Sequence, residues 1–365
     1  MANNLQILEI LLQKVAEKRT SFPDPKKDYF ETYQEIVGDL RRNVYDAINA
    51  GLAANSEEQG LYTDHGKEHF DTVILYAGQM LNLHHEGDLD GVVELVTKCQ
   101  WVLTPYELYL LLLGIRLHDV GNIYGRENHE KNILKVIKDY GVPHLSKDRI
   151  EAKKVAIIGG AHGGKSRCGS KDTIGLMQET GGDGHLGDVD FKKIAAIVRF
   201  ADEICENRFR APSGGDAAIP EHNLIFHKFA RSIVSSSVRN QTLSIKFSLD
   251  VEDLVQTYKT SKVDPTAEKT LPEFFLDRIR KTEIERRYCA RFLPDGANLK
   301  EVAVDVEVVK YDEYDDIETL ERRQFTLKER DYPGAAEDIL SSEVKEFMAM
   351  DNIKQLSHTR GTECA

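Results

Sequence analysis

Apolar residues recur with a helical period along the first part of the chain and give way to strict alternation further on. Residues 3–18 and 30–54 carry the helical period, parted at 21–27 by a stretch with two prolines, and 55–60 is a loop. From Lys67 the stripe Phe70, Val73, Ile74, Ala77, Met80 and Leu81 predicts a helix with one buried face. Over 104–118, Thr104 at N-cap, Pro105 at N1 and Glu107 at N3 start a helix with a capping box. Its body is apolar nearly all round, which predicts a central buried helix ending at His118-Asp119, and Gly121 fits a C-terminal cap. Helices over 128–139 and 148–160 follow. Asp188 is then expected to cap a long helix striped by Phe191, Ile194, Ala195, Val198, Ala201, Ile204 and Cys205.

After Pro212 the pattern changes. Residues 232–238 and 241–249 read as a hairpin around Arg239-Asn240, and 301–309 alternates Val302, Val304, Val306, Val308. Helices are expected over 271–292 and near 335–350, an acidic solvated face over 311–318, and a frayed tail over 352–365. The expected fold is mainly α: an all-helical core and a smaller α+β C-terminal subdomain. The divisions are an N-terminal helical segment (1–60), the core (61–211), the extension (220–351) and the tail.

Composition narrows the functions. The 365 residues carry 48 Lys+Arg against 61 Asp+Glu, a formal charge of −13. That balance argues against duplex nucleic acid or an anionic membrane as the main partner. Five cysteines without a close pair point to a reducing compartment. With no secretory or membrane-spanning pattern, a cytoplasmic location is expected. Local charge departs from the average at 163–171, where GGKSRCGSK carries three cations and no anion, within a stretch (163–188) of eight glycines. Lys165 and Arg167 there, with freed backbone N–H groups, suit phosphate, and the long loop suits a lid; a solvated loop is the plainer alternative.

Histidines and aspartates supply the candidate chemistry. An Asp in the last turn of an apolar helix needs a partner, and Asp202 points with the stripe of its own helix, where a buried carboxylate must be paired or bind a cation. His69 adjoins an apolar stripe, His129 opens a helix and His162 ends one. Imidazoles plus carboxylates without thiolate suit Fe, Mn, Zn, Ni or Mg more than a structural zinc site.

The segments TDHGKEHFDTV (63–73), LHDVGN (117–122), GRENHEK (125–131), GAHGG (160–164) and RFADEICEN (199–207) resemble the HD superfamily of metal-dependent phosphohydrolases. The hairpin and the helix after it look like the extension that follows the HD core in some bacterial members. The resemblance implies an all-α core in which His69, His118, Asp119 and Asp202 bind one divalent metal. It leaves His129 and His162 either to bind a second metal bridged by Asp119 or to act on the substrate. His65, one turn before His69, becomes a substrate-side residue or an ordinary polar helix start. Many members carry a lysine just after the HD-x-G turn, where this chain has Asn122. The phosphate-binding charge then has to come from Arg126, Lys165, Arg167 or Arg208.

The implied activity is hydrolysis of a nucleotide by a metal-activated water. A (deoxy)nucleoside triphosphate hydrolase with His129 as proton donor is slightly favoured over a two-metal phosphodiesterase of cyclic nucleotides or dinucleotides. A regulatory module that binds a nucleotide without turning it over is the non-enzymatic alternative. The sequence leaves open a homo-oligomer or a regulatory protein partner.

Overall fold

The computed structural model describes residues 5–48, 50, 67–166, 168–177, 188–208, 216, 219–262, 264, 266–311, 316–328 and 339–358. Two compact units divide the chain: one comprises Met1–Gln59, Asp64–Cys205 and Tyr288–Asn298, the other comprises Gly60–Thr63, Glu206–Arg287 and the part from Leu299.

The first unit is helical. Its elements are α1 (Ile7–Ala16), α2 (Tyr29–Asn43), α3 (Lys67–Met80), α4 (Val92–Thr97), α5 (Pro105–Leu117), α6 (Ile133–Asp139), α7 (Arg149–Gly160) and α8 (Phe191–Ile204). Helix α5 is the centre, buried at every position but Tyr106 as its all-round apolar face requires. Its capping box is formed: Thr104 Oγ1 accepts from Glu107 N at 3.2 Å and Thr104 N donates to Glu107 Oε2 at 2.9 Å. Every residue of the α3 stripe is buried.

Several local expectations are corrected. The cap of α8 is Asp190, whose side chain accepts from Lys193 N at 3.0 Å, and not Asp188. Both aspartates precede the stripe, and only the one three residues before an N3 amide can reach it. The 128–139 helix is broken: His129–Lys131 forms a short 3-10 turn after Asn128 at φ 54°, and α6 begins only at Ile133. Gly121 is not a left-handed cap, because α5 ends at His118 in right-handed geometry and Gly121 is not among the glycines with positive φ.

The second unit holds α9 (Leu224–Ser232), β1 (Ile233–Arg239), β2 (Thr242–Asp250), α10 (Val251–Leu254), β3 (Thr257–Lys259), β4 (Glu268–Thr270), α11 (Leu271–Ala290), β5 (Glu301–Tyr311), β6 (Ile317–Leu327), α12 (Ser342–Phe347) and α13 (Met350–Ser357); the end of α11 runs into the segment grouped with the first unit. The main sheet has the order β1-β2-β5-β6, antiparallel except for the parallel β2–β5 pair. Such a pair needs a long crossover, and α11 lies in it. In register, Leu243, Phe247 and Leu249 face Val302, Val306 and Val308, which builds one apolar side of the sheet. The hairpin turn falls one position later than expected, on Asn240-Gln241, both at positive φ as a two-residue hairpin loop demands. Strand β6 was not expected, and residues 352–357 are helical where a frayed tail was expected.

Candidate metal centre

Six side chains from five places in the chain converge inside the first unit. His69 lies in the first turn of α3, His118 and Asp119 end α5, His129 sits on the 3-10 turn, His162 follows α7, and Asp202 lies in the last turn of α8. His69, His118, Asp119, His129 and His162 are buried, and Asp202 is partly so.

Asp119 joins two halves. Its Oδ2 stands 3.5 Å from His69 Nε2 and 3.6 Å from His118 Nε2, and Asp202 Oδ1 is 3.4 Å from both of those nitrogens. Its Oδ1 stands 3.0 Å from His129 Nε2 and 3.4 Å from His162 Nε2. Within each half the two Nε2 atoms are 3.1 Å apart.

Backbone carbonyls decide which ring nitrogen carries hydrogen. His118 Nδ1 is 2.8 Å from Ile115 O, His129 Nδ1 is 2.9 Å from Arg126 O, and His162 Nδ1 is 2.5 Å from Gly159 O. A carbonyl oxygen can only accept, so each Nδ1–H donates, and Nε2 is the ring atom turned inward, with a lone pair to offer a cation wherever it carries no proton. Lone pairs and carboxylate oxygens packed at 3.0–3.6 Å repel unless a proton or a cation lies among them. These separations match the edges of a coordination shell with bonds of about 2.1 Å. The donor set therefore fits divalent metal: the groups that could hold one are His69–His118–Asp119 and Asp119–His129–His162, which share Asp119, together with His118–His162–Asp202 and His69–Asp202–Cys205. Protons compete for the same space. Burial disfavours a charged His118, but Asp119 and Asp202 outweigh it and push its pKa up to about 9. Burial pushes the His162 imidazole down, which keeps it neutral. Burial acts against the Asp202 carboxylate, yet His118 and His69 hold it well below the usual range.

Two glycines make the second half close-packed. A Cβ on Gly121 would lie 1.9 Å from the His129 carbonyl oxygen, so this glycine serves close approach of the two turns. Gly164, at φ 72°, leaves room for the Glu130 carboxylate, which a Cβ would meet at 2.3 Å. Gly121→Ala is expected to cost about 1–3 kcal/mol, read as a lower thermal midpoint. An unchanged midpoint would contradict the packing described.

The remaining sequence candidates scatter. Arg126 is half exposed, with Nη1 3.8 Å from Asp119 Oδ1 and 3.5 Å from Asn122 Oδ1. Asn122 is fully buried, and its Nδ2 has no hydrogen-bond partner among the described residues. Lys165 is exposed, and Arg208 is an exposed residue of the second unit. His65, Arg167 and residues 178–187 of the 163–188 loop lie outside the described residues. Sequence reasoning missed Cys205, whose Sγ lies 3.5 Å from His69 Nδ1. Its position three residues after Asp202 in the stripe of α8 was the available signal.

The family model HD-CE, an HD domain with a C-terminal extension, matches residues 60–280, more than half of the chain. The chain belongs to the HD-CE family. No curated protein and no solved structure matches. HD domains are in general metal-dependent hydrolases, and the buried His/Asp groups of this HD-CE chain could hold such a metal. Among the described residues, no helix is long and apolar enough to cross a membrane.

Proposed function

We propose that the protein is a metal-dependent phosphohydrolase of nucleotides, with a two-cation centre bridged by Asp119. The observation that carries this reading is the division of the Asp119 carboxylate, one oxygen toward His69 and His118 and the other toward His129 and His162. Divalent cations bound there neutralise phosphate oxygens and acidify a coordinated water.

The protein's own groups do the rest. Carbonyls of Ile115, Arg126 and Gly159 hold three rings with Nε2 inward, so the site is preorganised before any ligand arrives. The Arg126 guanidinium borders the centre and reaches solvent, which suits a phosphate oxygen. Lys165 and Arg167 belong to this proposal as further cations for the anionic substrate, and Arg208 and Asn122 as weaker candidates. The leaving oxygen needs a proton. His129 and His162 each commit Nδ1 to a backbone carbonyl and turn Nε2 toward Asp119, which favours the use of His129 as a ligand.

Geometry thus shifts the preference from the triphosphohydrolase to the two-metal phosphodiesterase of cyclic nucleotides or dinucleotides. His129→Ala separates the two. Loss of one of two metals together with activity is expected from elemental analysis. One metal retained in both wild type and variant, with activity gone by on the order of 10²–10⁴-fold, would restore His129 as proton donor and the triphosphohydrolase. Products decide independently: a linear 5′-monophosphate or linear dinucleotide against tripolyphosphate or pyrophosphate. A nucleotide that binds tightly and is never consumed would overturn the enzymatic reading in favour of a regulatory module.

A further inference from the structure

The last carbonyls of a helix have no partner within it. At the end of α7 one of them, Ala161 O, accepts a hydrogen bond from Thr173 Oγ1 at 2.7 Å. The peptide between Ala161 and His162 is then held from both sides, because His162 N donates to Gly159 O at 3.3 Å. Behind the hydroxyl stands Arg199 of α8, whose Nη1 donates to Thr173 Oγ1 at 2.7 Å and to Lys171 O at 2.9 Å. A guanidinium can only donate, so the single hydroxyl hydrogen of Thr173 is left to point at Ala161. The chain of donors is thus directed, Arg199 to Thr173 to Ala161, and a charged donor at its head strengthens the bond that follows. Arg199 is buried, as are Asp172 and Ile174 on either side of Thr173, so this part of the 163–188 stretch is packed into the helical unit. Asp172 is held there by Arg291, whose Nη2 lies 2.8 Å from its Oδ1.

We infer that Thr173, directed by Arg199, is a positioning residue for the second cation position: it sets the backbone from which His162 reaches Asp119. The inference rests on the proposed two-cation centre and deepens it. Arg199 lies three residues before Asp202 on α8. One helix therefore carries a candidate ligand of the first half and, through Thr173, braces the turn that carries a ligand of the second. The His162 ring has its own support, since Nδ1 is 2.5 Å from Gly159 O, and that contact governs the rotation of the ring. What Thr173 adds is the peptide plane from which the ring projects. Metal–ligand distances tolerate about 0.2 Å, so a small turn of that plane is felt at Nε2.

Groups that contact a ligand ring contribute about 10–100-fold in metal affinity, and a support one peptide away is expected at the lower end. Thr173→Val, which removes the hydroxyl at nearly constant volume, should weaken one of the two Mn(II)-binding steps by about tenfold in titrations of the full chain. Two backgrounds say which step it is. The loss should persist in Asp202→Ala, which keeps the His129–His162 half, and vanish in His129→Ala, which keeps the other. Thr173→Ser restores the hydroxyl and should restore the affinity. Arg199→Met should weaken the same step, and adding it to Thr173→Val should cost little more, since both break one chain of hydrogen bonds. In the metal-free protein, the imidazole NMR signals of His162 should move in Thr173→Val and return in Thr173→Ser, with those of His69 and His118 in place. Equal weakening in both backgrounds, or shifts spread over all four rings, would leave Thr173 a general packing role and overturn the inference. So would two Mn(II) ions bound by Thr173→Val with wild-type affinities. A wild type that binds fewer than two Mn(II) ions would instead remove the two-cation centre, and this inference with it.

Discussion

Asp119→Ala is expected to carry no divalent metal by elemental analysis and to hydrolyse its nucleotide no faster than chelator-treated wild type. The reason is the sharing seen at its carboxylate. Removing it takes an oxygen from the His69–His118 half and another from the His129–His162 half, and deletes the one full charge that serves both. What remains in the second half is two imidazoles, too few for retention against dilution. Asp202→Ala is the contrasting variant. Its Oδ1 stands against His69 and His118, so metal should fall in that half while the Asp119–His129–His162 group keeps its donors. Because a bound cation stabilises only the folded chain, chelator should lower the thermal midpoint of wild type and leave that of Asp119→Ala unchanged. Full metal occupancy in Asp119→Ala would sink the shared-carboxylate assignment.

How far the site could be read in the sequence differs between its parts. The residue types were legible because each broke a local rule: an Asp ending an apolar helix, another in the stripe of α8, a histidine beside the stripe of α3. Their grouping came only with the family resemblance, which left the use of His129 and His162 open. Which oxygen of Asp119 faces which imidazole depends on the close packing of the 120s turn against the 3-10 turn at His129, and that in turn depends on Gly121, whose role looked like capping. Helix α5 was recognised from its cap and its apolar body, yet the same apolar reading passed over Arg116. Strand β6 escaped for a different reason. It is an edge strand with the sequence IETLERRQFTL, held partly by charge: Arg322 Nε donates to Asp305 Oδ1 at 2.9 Å on β5. Charged edge strands resist unwanted pairing, and the same charges erase the alternation by which strands are recognised. The C-terminal helix α13 hides likewise, since only Ile353 along it is buried.

Arg116→Met is expected to destabilise the protein by about 3–5 kcal/mol at neutral pH, a fall of about 6–20 °C in thermal midpoint. Arg116 is fully buried inside the first unit, one turn from the metal ligands. Its guanidinium donates to Glu9 Oε1 at 2.7 Å, Tyr33 Oη at 3.0 Å and Asp71 Oδ1 at 2.5 Å, while Tyr33 Oη donates to the same Glu9 oxygen. Methionine fills similar volume but leaves the Glu9 carboxylate buried without its counter-charge. The pH dependence follows from Glu9. Burial alone would raise its pKa, but Arg116 and Tyr33 hold it below the ordinary 4.5. In wild type its contribution is complete above pH 4.5 and is lost as pH falls through the lowered value. In Arg116→Met, burial, the largest influence on Glu9, is opposed only by the hydrogen bonds from Tyr33 and Gln6 and raises the folded pKa, so the penalty is absent below the unfolded value and grows as pH rises above it. The stability gap between the two proteins must therefore narrow on acidification from neutral pH. Glu9→Gln combined with Arg116→Met should be less destabilised than Arg116→Met alone, because no buried charge is then left over. Urea titrations of the three proteins across that range test this, and a gap that stays constant with pH would show that lost packing, and not an abandoned carboxylate, governs the loss.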